Sequence, residues 1–230
     1  MGLGYAFIML VAIVAGFSVA RFTQRGLQLS AIEKLGIGFG AFAGAMVGAK
    51  LPFLFVDGER FLSGAALFSD GKTILTGLVG GYLGVEAAKW ALDIRTRTGD
   101  TFVVPVAVAI AIGRVGCFYV GCCYGRPTDL PWGIVFTSVD NFTRHPTQLY
   151  ESLFHACTAL VFAWHGTRNV FKGNRVKLYL ITYAAYRFFS EWLRPEEPVY
   201  WGFTGYQLSS LIIIALFIWL WHRDSITESE

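Results

Sequence analysis

The chain has 230 residues, 54% of them hydrophobic and only 15% charged, with a formal net charge of +3. Soluble domains carry about 25% charged residues, so this deficit excludes an ordinary water-soluble globule and makes lipid the solvent. The basic residues are dispersed between apolar runs rather than gathered on one stripe, which argues against any nucleic-acid partner.

A membrane-spanning helix needs about 20 mostly apolar residues, and helices are required because unpaired backbone groups cannot face lipid. Seven such runs follow in order, at 4–20, 35–56, 74–92, 101–121, 148–166, 177–193 and 204–221. The expected fold is all-α and integral to a membrane, one polytopic domain over residues 1–230. The opening Met1–Ala20 lacks a basic leader and a small-residue cleavage site, so it reads as a retained first span rather than a signal peptide. The second run is expected to be interrupted at Lys50-Leu51-Pro52. The third carries Glu86 and Lys89 at a spacing that lets them pair. The fourth holds Arg114 and runs into a Gly/Cys-rich stretch that is not expected to be regular helix. Arg223–Glu230 reads as a solvated tail. The 26 glycines suit helices that must approach closely.

Loop charges set the orientation. With the N-terminus outside, ten Lys and Arg (Arg21, Arg25, Lys34, Arg95, Arg97, Arg168, Lys172, Arg175, Lys177, Arg223) fall on the cytoplasmic side and five (Arg60, Lys72, Arg126, Arg144, Arg194) outside. The asymmetry predicts N-out, C-in.

Arg114 and Arg187 lie well inside their spans, where a charge costs roughly 2.5–3.5 kcal/mol on insertion scales, so both are candidates for function. Arg187 and Glu191 share a helix face and can pair. Arg194 closes the same stripe and can snorkel to the interface, free for an anion. In the N-out arrangement Arg114, Gly121–Gly125, Arg187, Glu191 and Arg194 all fall in the outer half of the membrane. Guanidiniums at headgroup depth offer bidentate donors to phosphate oxygens, which points to an anionic phospholipid. No cofactor is implied. His145 is the one motif histidine on the outer side, either a base or a helix-entry residue; His155 and His165 are expected within the fifth span or near its cytoplasmic end. Gln148, Tyr150 and Glu151 either bind headgroup hydroxyls or cap the fifth span and pair with Arg144. Cys117, Cys122 and Cys123 read as small, soft packing residues in a crowded bend, with a covalent lipid carrier as the alternative. With Cys157 they form neither a secreted disulfide pattern nor a metal spacing with histidine, so no metal site is expected.

Four passages carry a family pattern. Gly113-Arg114-Val115-Gly116-Cys117-Phe118-Tyr119-Val120-Gly121-Cys122-Cys123-Tyr124-Gly125-Arg126 resembles, without a gap, the signature of bacterial prolipoprotein diacylglyceryl transferases. His145-Pro146-Thr147-Gln148-Leu149-Tyr150-Glu151 is similar to that family's His-Pro-Ser-Gln-Leu-Tyr-Glu run, Tyr186–Arg194 to its Arg-Phe-x-x-Glu-x-x-Arg helix, and Gly205-Tyr206-Gln207-Leu208-Ser209 to the opening of its last span. The resemblance implies a seven-span, N-out enzyme of the bacterial inner membrane that moves diacylglycerol from phosphatidylglycerol to a prolipoprotein cysteine, presented near its signal peptide. It implies Arg114 and Arg187 as phosphate-handling groups; His145, read from its place on the outer side, completes the candidate catalytic set. Around the substrate it implies Tyr5, Gly125, Glu191 and Arg194, and Lys50, Cys117, Cys122 and Gln148 complete the candidate substrate-binding set. The sequence departs from the pattern where Cys117 and Val120 replace asparagines, Cys122 replaces a glutamate, Val79 replaces the third-span histidine proposed as base, and Lys50 replaces an arginine. A sister enzyme with another acceptor, an anionic-lipid transporter or flippase, and a thiol-redox protein stand as alternatives.

Overall fold

In a computed structural model, which describes residues 2–56 and 73–227, each of the seven apolar runs closes its backbone hydrogen bonds within itself as a helix. These are α1 (Leu3–Thr23), α2 (Ala31–Val56), α3 (Ile74–Ala91), α4 (Val103–Val120), α5 (Thr147–Arg168), α6 (Arg175–Ser190) and α7 (Gly205–Thr227). Short 3-10 turns at Gly99–Thr101 and Glu191–Leu193 precede α4 and follow α6. Four stretches, Leu3–Thr23, Ala31–Pro52, Gly99–Val120 and Gly205–Ile226, are long and apolar enough to cross a membrane. Arg60 and Lys72, counted on the outer side, lie outside the described residues.

The chain forms two units, Leu27–Arg97 and the remainder, Met1–Gly26 with Thr98–Glu230. In the first, α2 begins with a reciprocal cap: the Ser30 amide donates to Glu33 at 2.7 Å and the Glu33 amide to the Ser30 hydroxyl at 3.2 Å. The interruption expected at Pro52 does not end the helix, which runs on to Val56. A proline deletes one backbone hydrogen bond and crowds the preceding turn, but the remaining ladder continues past it.

α2 and α3 meet along small residues. A Cβ on Gly44 would meet the Gly80 carbonyl oxygen and stand 2.9 Å from the Gly84 Cα; one on Gly80 would stand 2.8 Å from the Gly48 Cα. Only hydrogen at these positions lets the two backbones touch, and in lipid such close packing replaces the hydrophobic drive that water would supply. Lys89 reaches both oxygens of Glu86 at 3.1 Å, the expected pair.

In the second unit α4 packs between α1 and α5. A Cβ on Gly16 would come 3.0 Å from that of Ala109, the Thr23 hydroxyl donates to the Thr101 carbonyl at 2.9 Å, and the Ser152 hydroxyl donates to the Ala111 carbonyl at 2.7 Å. At the other end of α5, Asp100 accepts from the Arg175 amide at 2.9 Å, and Lys177 donates to Asn174 at 2.7 Å and to Asp224 at 2.5 Å, tying the start of α6 to the end of α7. Between α4 and α5 the chain makes a small antiparallel hairpin, β1 (Ile134–Val135) with β2 (Thr143–Arg144), with Ile134 opposite Arg144. Buried Phe136 fastens it, its ring against those of Phe118 and Tyr124.

The helix contact yields a measurable expectation. Gly44→Ala should lower the stability of the detergent-solubilised protein by about 1–3 kcal/mol, the usual penalty for overpacking. Gly38→Ala, where an added Cβ meets nothing within 4 Å, should leave it unchanged. Equal melting temperatures for the two variants would refute the close-contact account.

Candidate functional site

The site forms where α4, α5, α6 and the turn after α6 converge on one carboxylate. Glu151, in the second turn of α5, is fully buried. Its Oε1 accepts from Arg114 Nη2 of α4 at 2.8 Å and from the Tyr183 hydroxyl of α6, and its Oε2 accepts from Arg194 Nη2 at 3.0 Å. A second carboxylate, Glu191, accepts from Arg187 Nη2 at 2.7 Å and from the Thr204 hydroxyl at 3.1 Å. The Arg187 guanidinium lies over the Tyr206 ring at 4.7 Å. Three buried guanidiniums therefore share two carboxylates, leaving one positive charge in excess. Arg114 Nε, Arg187 Nη1 and Arg194 Nε are buried with no hydrogen-bond partner among the described residues. A buried donor left unpaired costs free energy, so each of these N–H groups is a donor that a bound anion could satisfy.

The expected Arg187–Glu191 pair is present. Two other expectations are corrected. Arg194 does not snorkel free: it is 7% exposed and held by Glu151, because the turn after α6 folds it inward. Glu151 does not pair with Arg144, which is bound instead to Asp140 and donates to the Gly125 carbonyl at 3.2 Å. That guanidinium holds the Asp140 carboxyl below its ordinary value, first through their hydrogen bond.

The signature loop hangs from the end of α4. Gly121, at a φ of 73°, closes the helix, with the Gly121 amide donating to the Phe118 carbonyl and the Cys122 amide to the Cys117 carbonyl, each at 3.1 Å. Gly125 has no room for a side chain: a Cβ would stand 2.6 Å from both the His145 Cβ and the Leu193 oxygen. Gln148 is spent on this loop, donating to the Cys122 carbonyl at 2.6 Å, and the Thr147 hydroxyl donates to the Cys123 carbonyl at 2.8 Å. His145 is half-buried, its Nδ1 3.3 Å from the Tyr150 hydroxyl and its amide bonded to Arg126. Tyr5 of α1 packs beside the loop, its ring 3.5 Å from where a Cβ on Gly116 would sit. Lys50 is buried on α2, in the unit Leu27–Arg97.

The cysteines of the loop lie together at its surface. Cys122 and Cys123 are exposed and Cys117 is half-buried, and their three sulfurs all lie within 4.8 Å of one another. The neighbouring thiols of Cys117 and Cys122 draw the Cys123 thiol well below its ordinary value, with the fields of Arg114 and Arg194 adding to the effect.

Tyr183 and Thr204 are site residues that no sequence motif singles out. His155 lies within α5, as expected, one turn beyond Glu151 and fully buried, with Nδ1 3.1 Å from the Tyr179 hydroxyl. The usable signal was spacing: Tyr183 stands four residues before Arg187, and Glu151 four before His155, which puts each couple on one helix face.

A family profile described as prolipoprotein diacylglyceryl transferase matches residues 3–223. A phosphatidylglycerol–prolipoprotein diacylglyceryl transferase of Clostridium tetani is 34% identical over 79% of this chain and 76% of its own length. The second such enzyme of Clostridium perfringens is 30% identical over 75% and 70%, and that of Pseudoalteromonas atlantica 29% identical over 98% and 87%. A match of this extent takes in α1, the arginine–glutamate cluster and the last helix alike, and the chain belongs to the prolipoprotein diacylglyceryl transferase family.

Proposed function

We propose that this multi-pass membrane protein transfers the diacylglyceryl group of phosphatidylglycerol to the cysteine thiol of a prolipoprotein, at the outer face of a bacterial inner membrane. The observation that carries this reading is the excess buried positive charge with three unpaired N–H groups on Arg114, Arg187 and Arg194. Substitution at the glyceryl carbon expels a phosphate monoester, and the charge that develops on its oxygen is stabilised best by donors already in place. Glu151 and Glu191 hold the guanidiniums in position before substrate arrives, so little reorganisation is left for the reaction itself. The acceptor sulfur attacks the carbon, the carbon–oxygen bond breaks with its electrons on the phosphate oxygen, and glycerol phosphate leaves.

The same reading takes all seven helices as spans, with the N-terminus outside and the C-terminus in the cytoplasm. The loop charges favour this orientation, and it sets the cysteine loop and the arginine cluster toward the outer side, where a translocated prolipoprotein presents its thiol.

The reaction is tested by incubating the purified protein with phosphatidylglycerol and a cysteine-bearing prolipoprotein peptide: glycerol phosphate should appear in step with the thioether product. A transporter would leave the lipid intact, and that result would overturn the assignment. Arg187→Lys should lower turnover roughly ten- to hundredfold, the value of one or two charged hydrogen bonds, because an ammonium cannot bind Glu191, lie over Tyr206 and offer a further donor in one plane. Unchanged turnover in that variant would mean that charge alone suffices there. Glu151→Gln breaks two buried ion pairs at once and should cost about 3–5 kcal/mol of stability as well as activity. Labelling with an impermeant thiol reagent in intact spheroplasts should modify a cysteine placed at Asp140 and spare ones placed at Arg97 and Arg175; protection at 140 would reverse the orientation.

A further inference from the structure

The loop that closes α4 gathers three thiols whose arrangement the arginine cluster does not require. The closure at Gly121 returns the chain so that Cys122 sits over the turn containing Cys117, with the Cys122 sulfur 3.6 Å from the Cys117 carbonyl oxygen. Cys123 then takes a φ of 61°, a left-handed conformation that costs a non-glycine residue free energy. That turn sets its sulfur 3.7 Å from that of Cys122. Strain of this kind persists only where surrounding contacts impose it, and here they do. Gln148 holds the Cys122 carbonyl and Thr147 the Cys123 carbonyl, both from the buried first turn of α5. Gly125, with no room for a Cβ, locks the loop's far end.

The spacing has a chemical match. Zinc–thiolate bonds are about 2.3 Å long, so two sulfurs on one tetrahedral zinc stand about 3.8 Å apart. The Cys122–Cys123 separation is already at that edge length, and the third sulfur lies within 4.8 Å of both. An all-sulfur donor set selects soft cations over magnesium or calcium. Three thiolates around a divalent cation leave one negative charge, and it falls beside the surplus positive charge of the cluster: Arg114 Nη1 is 4.0 Å from the Cys117 sulfur. Among the described residues no fourth His, Cys, Asp or Glu joins the group. Three protein ligands with an open fourth position is the arrangement zinc takes when it binds a reactant rather than bracing a fold.

We propose that Cys117, Cys122 and Cys123 bind one zinc ion whose open position receives the acceptor thiol as its thiolate. This rests on the diacylglyceryl-transfer reading for the identity of that thiol, and it answers what Val79 leaves open in the third span, where the resemblance calls for a basic histidine. A thiol reacts as thiolate, and a metal-coordinated thiol is deprotonated outright. The proton passes to water at the exposed face of the loop. The sulfur lone pair forms the carbon–sulfur bond as the carbon–oxygen bond to phosphate breaks, zinc stays divalent, and the neutral thioether is a weaker ligand that vacates the position. The arginines take the phosphate and the cysteines take the thiol, so the two substrates are held by adjacent but chemically distinct groups.

The full-length protein, purified in detergent, reduced and stripped with a chelator, is tested with zinc alone and then with cobalt alone. About one zinc per chain should be retained, with roughly three sulfur scatterers at about 2.3 Å in X-ray absorption, and cobalt should give an intense thiolate charge-transfer band. The double variant Cys122→Ser/Cys123→Ser should lose at least nine-tenths of the bound metal, while Cys157→Ser, altered on α5 away from the cluster, should keep it. A prolipoprotein peptide with a free cysteine should shift the cobalt bands, and the same peptide with serine should not. Retention of zinc by the double variant, its absence from the wild-type chain, a Cys122–Cys123 disulfide in place of metal, or binding of cuprous ion with zinc excluded would each overturn the site. Metal binding with cobalt bands indifferent to the thiol peptide would overturn the acceptor role. Glycerol phosphate release by metal-free protein at the full rate would do the same, while leaving the transfer reaction itself standing.

Discussion

A buried carboxylate bonded to two guanidiniums from different parts of the chain is the interaction on which the rest of the site depends. Glu151 alone in a low-dielectric interior would cost several kcal/mol, and so would Arg114 or Arg194. Together, with the Tyr183 hydroxyl, they satisfy one another. The bond joins α4, α5, α6 and the turn that follows α6. The same turn presents Glu191 to Arg187 and its Leu193 carbonyl to the Arg126 amide at 2.7 Å. The arginine cluster and the signature loop are thus held by one polar knot, and a change at its centre propagates to both.

The knot is deliberately incomplete. A fully matched set of ion pairs would leave no net positive charge, whereas three guanidiniums against two carboxylates keep one in the interior, with unpaired donors beside it. The protein tolerates that because the unpaired groups belong to arginines already anchored by a partner on another nitrogen. Lysine, a single point charge, cannot be anchored and available in the same way.

The loop between Gly121 and Gly125 shows how backbone and side-chain constraints combine. Gly121 and Gly125 are required for different reasons, one for a left-handed helix end and the other for close approach to His145 and Leu193. Between them the loop is pinned by buried hydrogen bonds from Thr147 and Gln148. A loop held this firmly can carry exposed thiols at fixed separations. In the unit Leu27–Arg97 glycine serves again, bringing α2 and α3 into backbone contact so that two otherwise featureless apolar helices hold one register.

The sequence by itself determined the helices, because a long apolar run in lipid has no other way to satisfy its backbone; the runs bound the helices to within a few residues except at the end of α7, which continues to Thr227 through part of the stretch read as a solvated tail. It also determined which charges were unusual, since Arg114 and Arg187 stand out against apolar neighbours. Arg187–Glu191 was legible because partners four residues apart share a face whatever the fold. Glu151 as the common partner of Arg114 and Arg194 was not, for those residues are 37 and 43 positions away, and no periodicity links helices whose packing is undecided. The end of α4 at a glycine was readable; the meeting of three sulfurs was not, because it needed the left-handed turn at Cys123 and the grip of α5 on the loop. Pro52 misled for a local reason, as proline weakens a helix at one bond while the rest of the ladder decides whether it continues. Tertiary structure decided the site because buried charges take whichever partner the packing brings within reach.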